Sequence, residues 1–382
     1  MRADRFLTYA RKNLPEMENF IRELVECESP SDDAKAVNRF VDLFAARLEG
    51  LARVKTYPGG RFGRHMRCEF LLPGRKTREG WILALGHSDT VYPSGTLATM
   101  PFRKARGRLW GPGTLDMKGG LALFVFAMRA LRELDVPVSR KVILQVNSDE
   151  EVGSDSSRPL TEAAAKAAAA VLVLEPGTGR EGRPKTARKG IGDYELFVHG
   201  RSAHAGVDFA AGANAVVELA RQLDRIAGFV RLDQGITVSP GVVRGGTRSN
   251  VVPAEAYAHI DFRVPTLKDA AWLAKQFASL RPVDPRCRLE LRGGLNRPPM
   301  ERSAGVRKLF ALAKSLAAEL GVRLEESSTG GGSDGNFTAA LGIPTLDGMG
   351  AVGEGAHSPQ ESILVSRLAD RSALLAKLVA AI

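Results

Sequence analysis

Three short stretches of this chain set its architecture. Trp81–Leu85 and Val171–Leu174 contain no polar residue, and Val142–Val146 contains only Gln145. A strand with one wet face alternates polar and apolar positions, so strands without that alternation are covered on both faces. The segments around them read as helices. Leu14, Met17, Ile21, Leu24 and Val25 recur at helical spacing, as do Val37, Val41, Phe44 and Leu48, with Gly50 placed to end that helix. Gly119–Leu134 reads as a buried helix and residues 161–170 as an Ala-rich one. Dry strands separated by helices specify an α/β domain with a mainly parallel sheet.

The pattern changes near Arg188. Tyr194, Leu196 and Val198 alternate with Glu195, Phe197 and His199. A helix at about 211–227 and a strand near 236–243 follow. Then Ala256, Ala258, Ile260, Phe262 and Val264 alternate with polar or larger residues, Thr266 and Asp269 open a helix, and Cys287, Leu289 and Leu291 close the series. The order β-α-β-β-α-β is the ferredoxin-like one. From Pro298 the first style returns, with a helix stripe ended by Gly321 and a buried strand at Ile343–Leu346. We therefore expect a discontinuous α/β domain, residues 1–187 and 298–382, with an inserted α+β domain at 188–297 that serves as a lid or dimerisation module.

Composition removes several function classes. The net charge of +11 raises nucleic-acid binding. The Arg and Lys are scattered, however, and no nucleic-acid motif appears, so no nucleic-acid partner is expected. The positive balance suits steering of an acidic substrate. No run approaches the roughly 18 apolar residues of a membrane span, and the first residues lack the apolar stretch of a signal peptide. Cys27, Cys68 and Cys287 are widely spaced without a CxxC pair, which argues for a reducing compartment and against a thiolate zinc site. The expected location is the cytoplasm.

Five short segments carry chemistry. Gly86-His87-Ser88-Asp89-Thr90 follows an apolar strand; His87 can bind a metal through one ring nitrogen while Asp89 accepts from the other. Asp116 lies in the loop Gly111–Gly120 that leads into the buried helix, as an N-cap or a bridging ligand. Asp149, Glu150 and Glu151 stand together just past a strand, where three unsolvated acids need an offsetting positive charge; Glu150 and Glu151 can divide the work of proton shuttle and ligand. Glu175 follows Val171–Leu174, and His357 lies in a Gly/Pro-flanked loop. Each alone reads as a polar loop residue. Together, two imidazoles and three carboxylates without thiolate suit zinc, with manganese or cobalt as alternatives, and suffice for two ions that share one carboxylate and one water.

In this order and context, the five segments resemble the signature of the M20 metallopeptidase family, most nearly its glutamate carboxypeptidase (carboxypeptidase G) branch. The resemblance implies that His87 and Glu175 bind one zinc, Glu151 and His357 the other, and that Asp116 bridges them, its bond to Met117 being cis. It implies Glu150 as general base and acid, and Asp89 as the residue that orients His87. In the insert, Ser202-Ala203-His204-Ala205-Gly206 is similar to the family's lid motif, in which His204 stabilises the oxyanion, often in the partner subunit's site. Asn250 and Arg263 also match family positions; Arg263 is suited to clamp a substrate carboxylate. The loop Thr329–Asn336 matches a backbone wall for the substrate, and Arg297 a residue that reads an acidic side chain. His65, His199 and His259 fit no constellation.

The expected function is dizinc hydrolysis of an amide or peptide bond next to a C-terminal amino acid, in a small peptide or N-acyl amino acid, by a homodimer joined through the insert. An N-acyl amino acid deacylase, an acetylornithine-type deacetylase or a dipeptidase shares the same metal residues. A non-catalytic metal-binding protein is the reading of another class; the presence of Glu150 beside a complete ligand set argues against it.

Overall fold

The computed structural model describes residues 4–382. The chain divides into two units. One holds the described residues up to Ala187 with Arg302–Ser328 and Ser333–Ile382; the other holds Arg188–Glu301 with Thr329–Gly332. The second boundary thus falls after Glu301 rather than Arg297, and four residues of the glycine-rich loop group with the insert.

The first unit is built on a six-stranded sheet, in the order Ala52–Pro58, Arg64–Phe70, Lys141–Asn147, Trp81–His87, Ala168–Val173, Thr345–Leu346. The last four strands run parallel; the first two add antiparallel on one edge. Side chains in the parallel strands alternate between two dry cores. Ile82, Ala84, Val142, Leu144, Leu172 and Leu174 enter the large core with helices Leu14–Glu26, Ala34–Arg47, Gly119–Glu133 and Leu368–Ala381. Leu83, Leu85, Ile143, Val171 and Val173 pack on the opposite face with Ala164 and Ala165 of helix Arg158–Ala165. This two-sided burial is why those runs lack a polar alternate.

One expectation needs correction here. The Ala-rich helix ends at Ala165, and Ala168–Ala170 belong to a strand; their pairing with Trp81 and Ile82 overrides alanine's helix preference. The strands Ala52–Pro58 and Arg64–Phe70 carry no apolar run, because the first is an exposed edge and the second mixes Arg, His and Glu with its buried residues.

The second unit has a four-stranded antiparallel sheet, ordered Thr237–Gly245, Glu255–Val264, Gly190–His199, Arg288–Arg297. Helices Ala215–Ala227 and Leu267–Ala278 cover one face, over Tyr194, Leu196, Val198, Ala258, Ile260 and Phe262. Thr266 caps the second helix, its hydroxyl accepting from Asp269 N at 3.1 Å. On the open face the polar alternates pair across strands: Tyr257 with Glu195 at 2.8 Å, His259 with Asp193 at 3.0 Å and His199 with Glu290 at 3.3 Å.

Candidate metal centre

Parallel pairing brings three strand ends to one edge of the sheet, the place where open α/β sheets build sites. His87 is the last residue of Trp81–His87 and pairs in register with Asn147, the last of Lys141–Asn147. Three residues on, a short 3-10 turn, Glu150–Val152, carries the paired acids. Glu175 lies just beyond Val173. Asp116 comes from the loop before helix Gly119–Glu133, across a cis Asp116–Met117 bond. That helix starts with two glycines because any Cβ on Gly120 meets the Leu174 carbonyl. Close packing here sets the Asp116 loop against the strand end that leads to Glu175.

The side chains converge. His87 Nε2 is 3.1 Å from Asp116 Oδ1 and 3.6 Å from Glu175 Oε1. His357 Nε2 is 3.2 Å from both Asp116 Oδ2 and Glu151 Oε2. Asp116 therefore offers one oxygen to each imidazole. Ligand atoms of His87, Glu150 and Glu175 also lie within 4.8 Å of one another. Two donors on one tetrahedral ion at about 2.1 Å are separated by roughly 3.4 Å, and the four observed separations bracket that value. Glu151 Oε1 is buried without a hydrogen-bond partner, a costly arrangement unless a cation meets it. Donor chemistry, spacing and this orphaned oxygen all fit divalent ions of the zinc type.

The imidazoles and carboxylates shift one another. Burial alone would lower the His87 imidazole, but Asp116, Asp89 and Glu175 raise it well above its ordinary value. Hydrogen bonds to Asp116 and Glu151 push His357 up to about 10. Burial pushes Asp116 up, and its bonds to His357 and His87 outweigh that and bring it down. Glu151 stays high, at about 7, because burial exceeds the help from His357.

Two further acids shape the site. Asp89 is fully buried. Its carboxylate accepts from Ser31 Oγ at 2.8 Å, Glu150 N at 3.2 Å and Glu151 N at 3.1 Å. His87 Nδ1 lies 3.5 Å from that carboxylate but 2.9 Å from the Asp89 carbonyl. Asp89 thus addresses the ring mainly through its backbone, because in so tight a turn its side chain reaches across to the acid turn. Glu361 escaped the sequence reading. Buried, it accepts from Leu115 N at 2.7 Å, Asp116 N at 3.0 Å, Gly113 N at 3.1 Å and Tyr92 Oη at 2.6 Å. The signal for it was the Gly113–Asp116 loop itself, whose inward N–H groups need an acceptor.

The three residues singled out in the insert belong to the second unit. His204 is exposed, and its Nδ1 accepts from Gly206 N at 3.1 Å. Asn250 is exposed, and its carbonyl accepts from Ala205 N at 3.0 Å, so the two segments are tied together. Arg263 points its guanidinium at Asp261, with contacts of 3.0 and 2.8 Å; a substrate carboxylate there competes with an internal one. Arg188 donates to Gly331 O and Gly332 O at 3.1 and 2.8 Å, fixing the glycine-rich segment.

The chain is similar to known proteins. Residues 83–381 match the profile of peptidase family M20/M25/M40. Carboxypeptidase G2 of Pseudomonas sp. (strain RS-16) is 28% identical over 366 residues, 94% of this chain and 87% of that protein. A succinyl-diaminopimelate desuccinylase of Cereibacter sphaeroides (strain ATCC 17025 / ATH 2.4.3) is 30% identical over 319 residues, 77% of this chain and 81% of that one. Among solved structures, the aminopeptidase PepT of Bacillus cereus ATCC 10987 superposes with a TM-score of 0.79 at 23% identity, covering 96% of this chain and 98% of that one. That likeness establishes the fold.

Proposed function

The chain belongs to the M20/M25/M40 peptidase family and is a hydrolase of that family, and on that premise we propose that it is a dizinc carboxypeptidase-type enzyme that cleaves the amide bond next to a C-terminal amino acid. The observation that carries this reading is Asp116, whose two oxygens face two different imidazoles with Glu150 alongside. His87 and Glu175 would hold one ion, Glu151 and His357 the other, and Asp116 both; cobalt or manganese fits the same donors. When bound, such a pair polarises a carbonyl and makes a shared water acidic near neutral pH.

The rest is done by the chain. Glu150 accepts the proton of the attacking water and returns it to the departing amine nitrogen. Asp89 holds the Glu150 and Glu151 backbone N–H groups, so the base and a ligand move together. Arg263 clamps the substrate carboxylate, and His204 and Asn250 steady the oxygen that gains charge. The insert joins two copies in a homodimer, and the enzyme works in the cytoplasm on small peptides or N-acyl amino acids. No described helix is long and apolar enough to cross a membrane.

The desuccinylase relative favours a second reading, removal of an N-acyl group from an amino acid. Metal analysis with a panel of acylglutamates, N-acetyl and N-succinyl amino acids and dipeptides separates the two. Release of glutamate from an acylglutamate is expected, and its absence across the panel defeats the carboxypeptidase reading. Glu150→Gln should retain zinc and lose about 10²–10⁴-fold in kcat; a fully active variant refutes the mechanism.

A further inference from the structure

The only apolar side chain of the turn Glu150–Val152, Val152, is 50% exposed. Apolar packing therefore cannot set where Glu150 points; polar ties must. Asp89 supplies one set, in front. A second lies behind, around His65, which is fully buried in strand Arg64–Phe70. His65 Nδ1 is 3.1 Å from Ser148 N and 2.9 Å from Ser148 Oγ. A backbone N–H only donates, so Nδ1 is the acceptor nitrogen and the neutral ring carries its proton on Nε2. Nε2 lies 3.1 Å from Ser156 Oγ. Ser156 Oγ in turn donates to Asp149 Oδ2 at 2.7 Å, and Ser156 N donates to the same oxygen at 2.8 Å. Burial lowers the ring's basicity against the pull of Asp149, Asp334 and Asp89, which agrees with the neutral form.

Ser148 and Ser156 bracket the acids. One rigid ring touches both stems of the loop, and its two nitrogens have a fixed separation. We infer that His65 is a positioning residue, a neutral strut between Ser148 and Ser156 that sets the aim of Glu150. This rests on Glu150 as the base and goes beyond it, since His65 touches neither ion ligands nor substrate.

The test compares His65→Phe, which keeps a planar ring without polar atoms, and His65→Asn, which keeps a group for Ser148 but cannot reach Ser156. Both are assayed as zinc-loaded full-length protein with the best substrate of the panel, and zinc content is measured on the same samples. We expect zinc content to hold and kcat of His65→Phe to fall about 10–100-fold with KM within about twofold, as for a misplaced reacting group. His65→Asn is expected to recover part of the loss. A kcat for zinc-loaded His65→Phe equal to wild type, or a change confined to KM, overturns the strut. If His65→Phe does not fold, His65→Asn decides: wild-type kcat again overturns it. Glu150→Gln is run in parallel. If it stays fully active, the base reading itself has failed; if it is inactive while His65→Phe turns over normally, only the strut has failed.

Discussion

His87 and His357 face opposite oxygens of Asp116, and little else about them is alike. His87 is 1% exposed, ends a central strand, and has Asp89, Asp116 and Glu175 around it. His357 is 50% exposed and sits in a loop with φ +59°, a left-handed backbone that few residues other than glycine adopt. One half of the centre is part of the core; the other is mounted on a turn. The difference teaches that the same ligand type can be bound up with folding or nearly independent of it. Strained backbone at a turn is tolerated where function requires it.

The sharpest way to break this contrast is to remove each ring. His87→Ala leaves buried carboxylates without their cationic partner and should destabilise the ion-free protein by about 3–5 kcal/mol, read as a fall in the denaturant midpoint. His357→Ala should cost less, because its ring is half in water while its partners Asp116 and Glu151 are the buried members of the pair. Equal losses would erase the distinction. Asp89→Asn comes next. It places an amide where two backbone N–H groups and Ser31 need acceptors, and affinity for zinc should fall about 10–100-fold, measured by competition with a chelator. An unchanged affinity would mean that the Asp89 carbonyl alone suffices to orient His87.

The same contrast can be sharpened with pH. His357 rises from 6.5 to about 10 and Glu151 from 4.5 to about 7. A raised value means that the fold favours the protonated form. For Glu151 that stability is complete below pH 4.5 and gone above about 7; for His357 it is complete below 6.5 and fades toward 10. The ion-free protein should thus become gradually less stable from pH 5 to 10. Zinc binding should move the other way, gaining up to about tenfold per pH unit between 7 and 10 as His357 sheds its proton. Calorimetry in two buffers of different ionisation enthalpy counts the protons released; in His357→Ala that count should fall by about one.

The buried half was also the more legible half. His87 and Glu175 follow runs whose lack of polar residues betrays burial on both faces. The ferredoxin-like insert was readable because one of its faces is wet: Tyr194, Leu196 and Val198 are buried while Glu195 and Phe197 are less so. What stayed hidden depends on distant pairing. His65 stands in a strand of mixed character and meets its partner Ser148 83 positions on. Glu361 meets Leu115 across 246 positions, and no local spacing marks either. The edge strand Ala52–Pro58 was missed because its exposed residues follow no dry-face rule. His204, Asn250 and Arg263 were singled out by resemblance alone.

The long reach of Glu361 bears on the order of synthesis. The loop that carries Asp116 leaves the ribosome early, but the carboxylate that gathers its N–H groups, and the His357 ring that meets its second oxygen, follow more than 240 residues later. The intervening Arg188–Glu301 has its own core and can fold meanwhile, as units of a nascent chain do. The first unit must wait with its sheet lacking strand Thr345–Leu346 and its Asp116 loop without an acceptor. A chain stopped short of Gly355 would therefore keep most of the ligand residues and still have no shaped centre in which to use them.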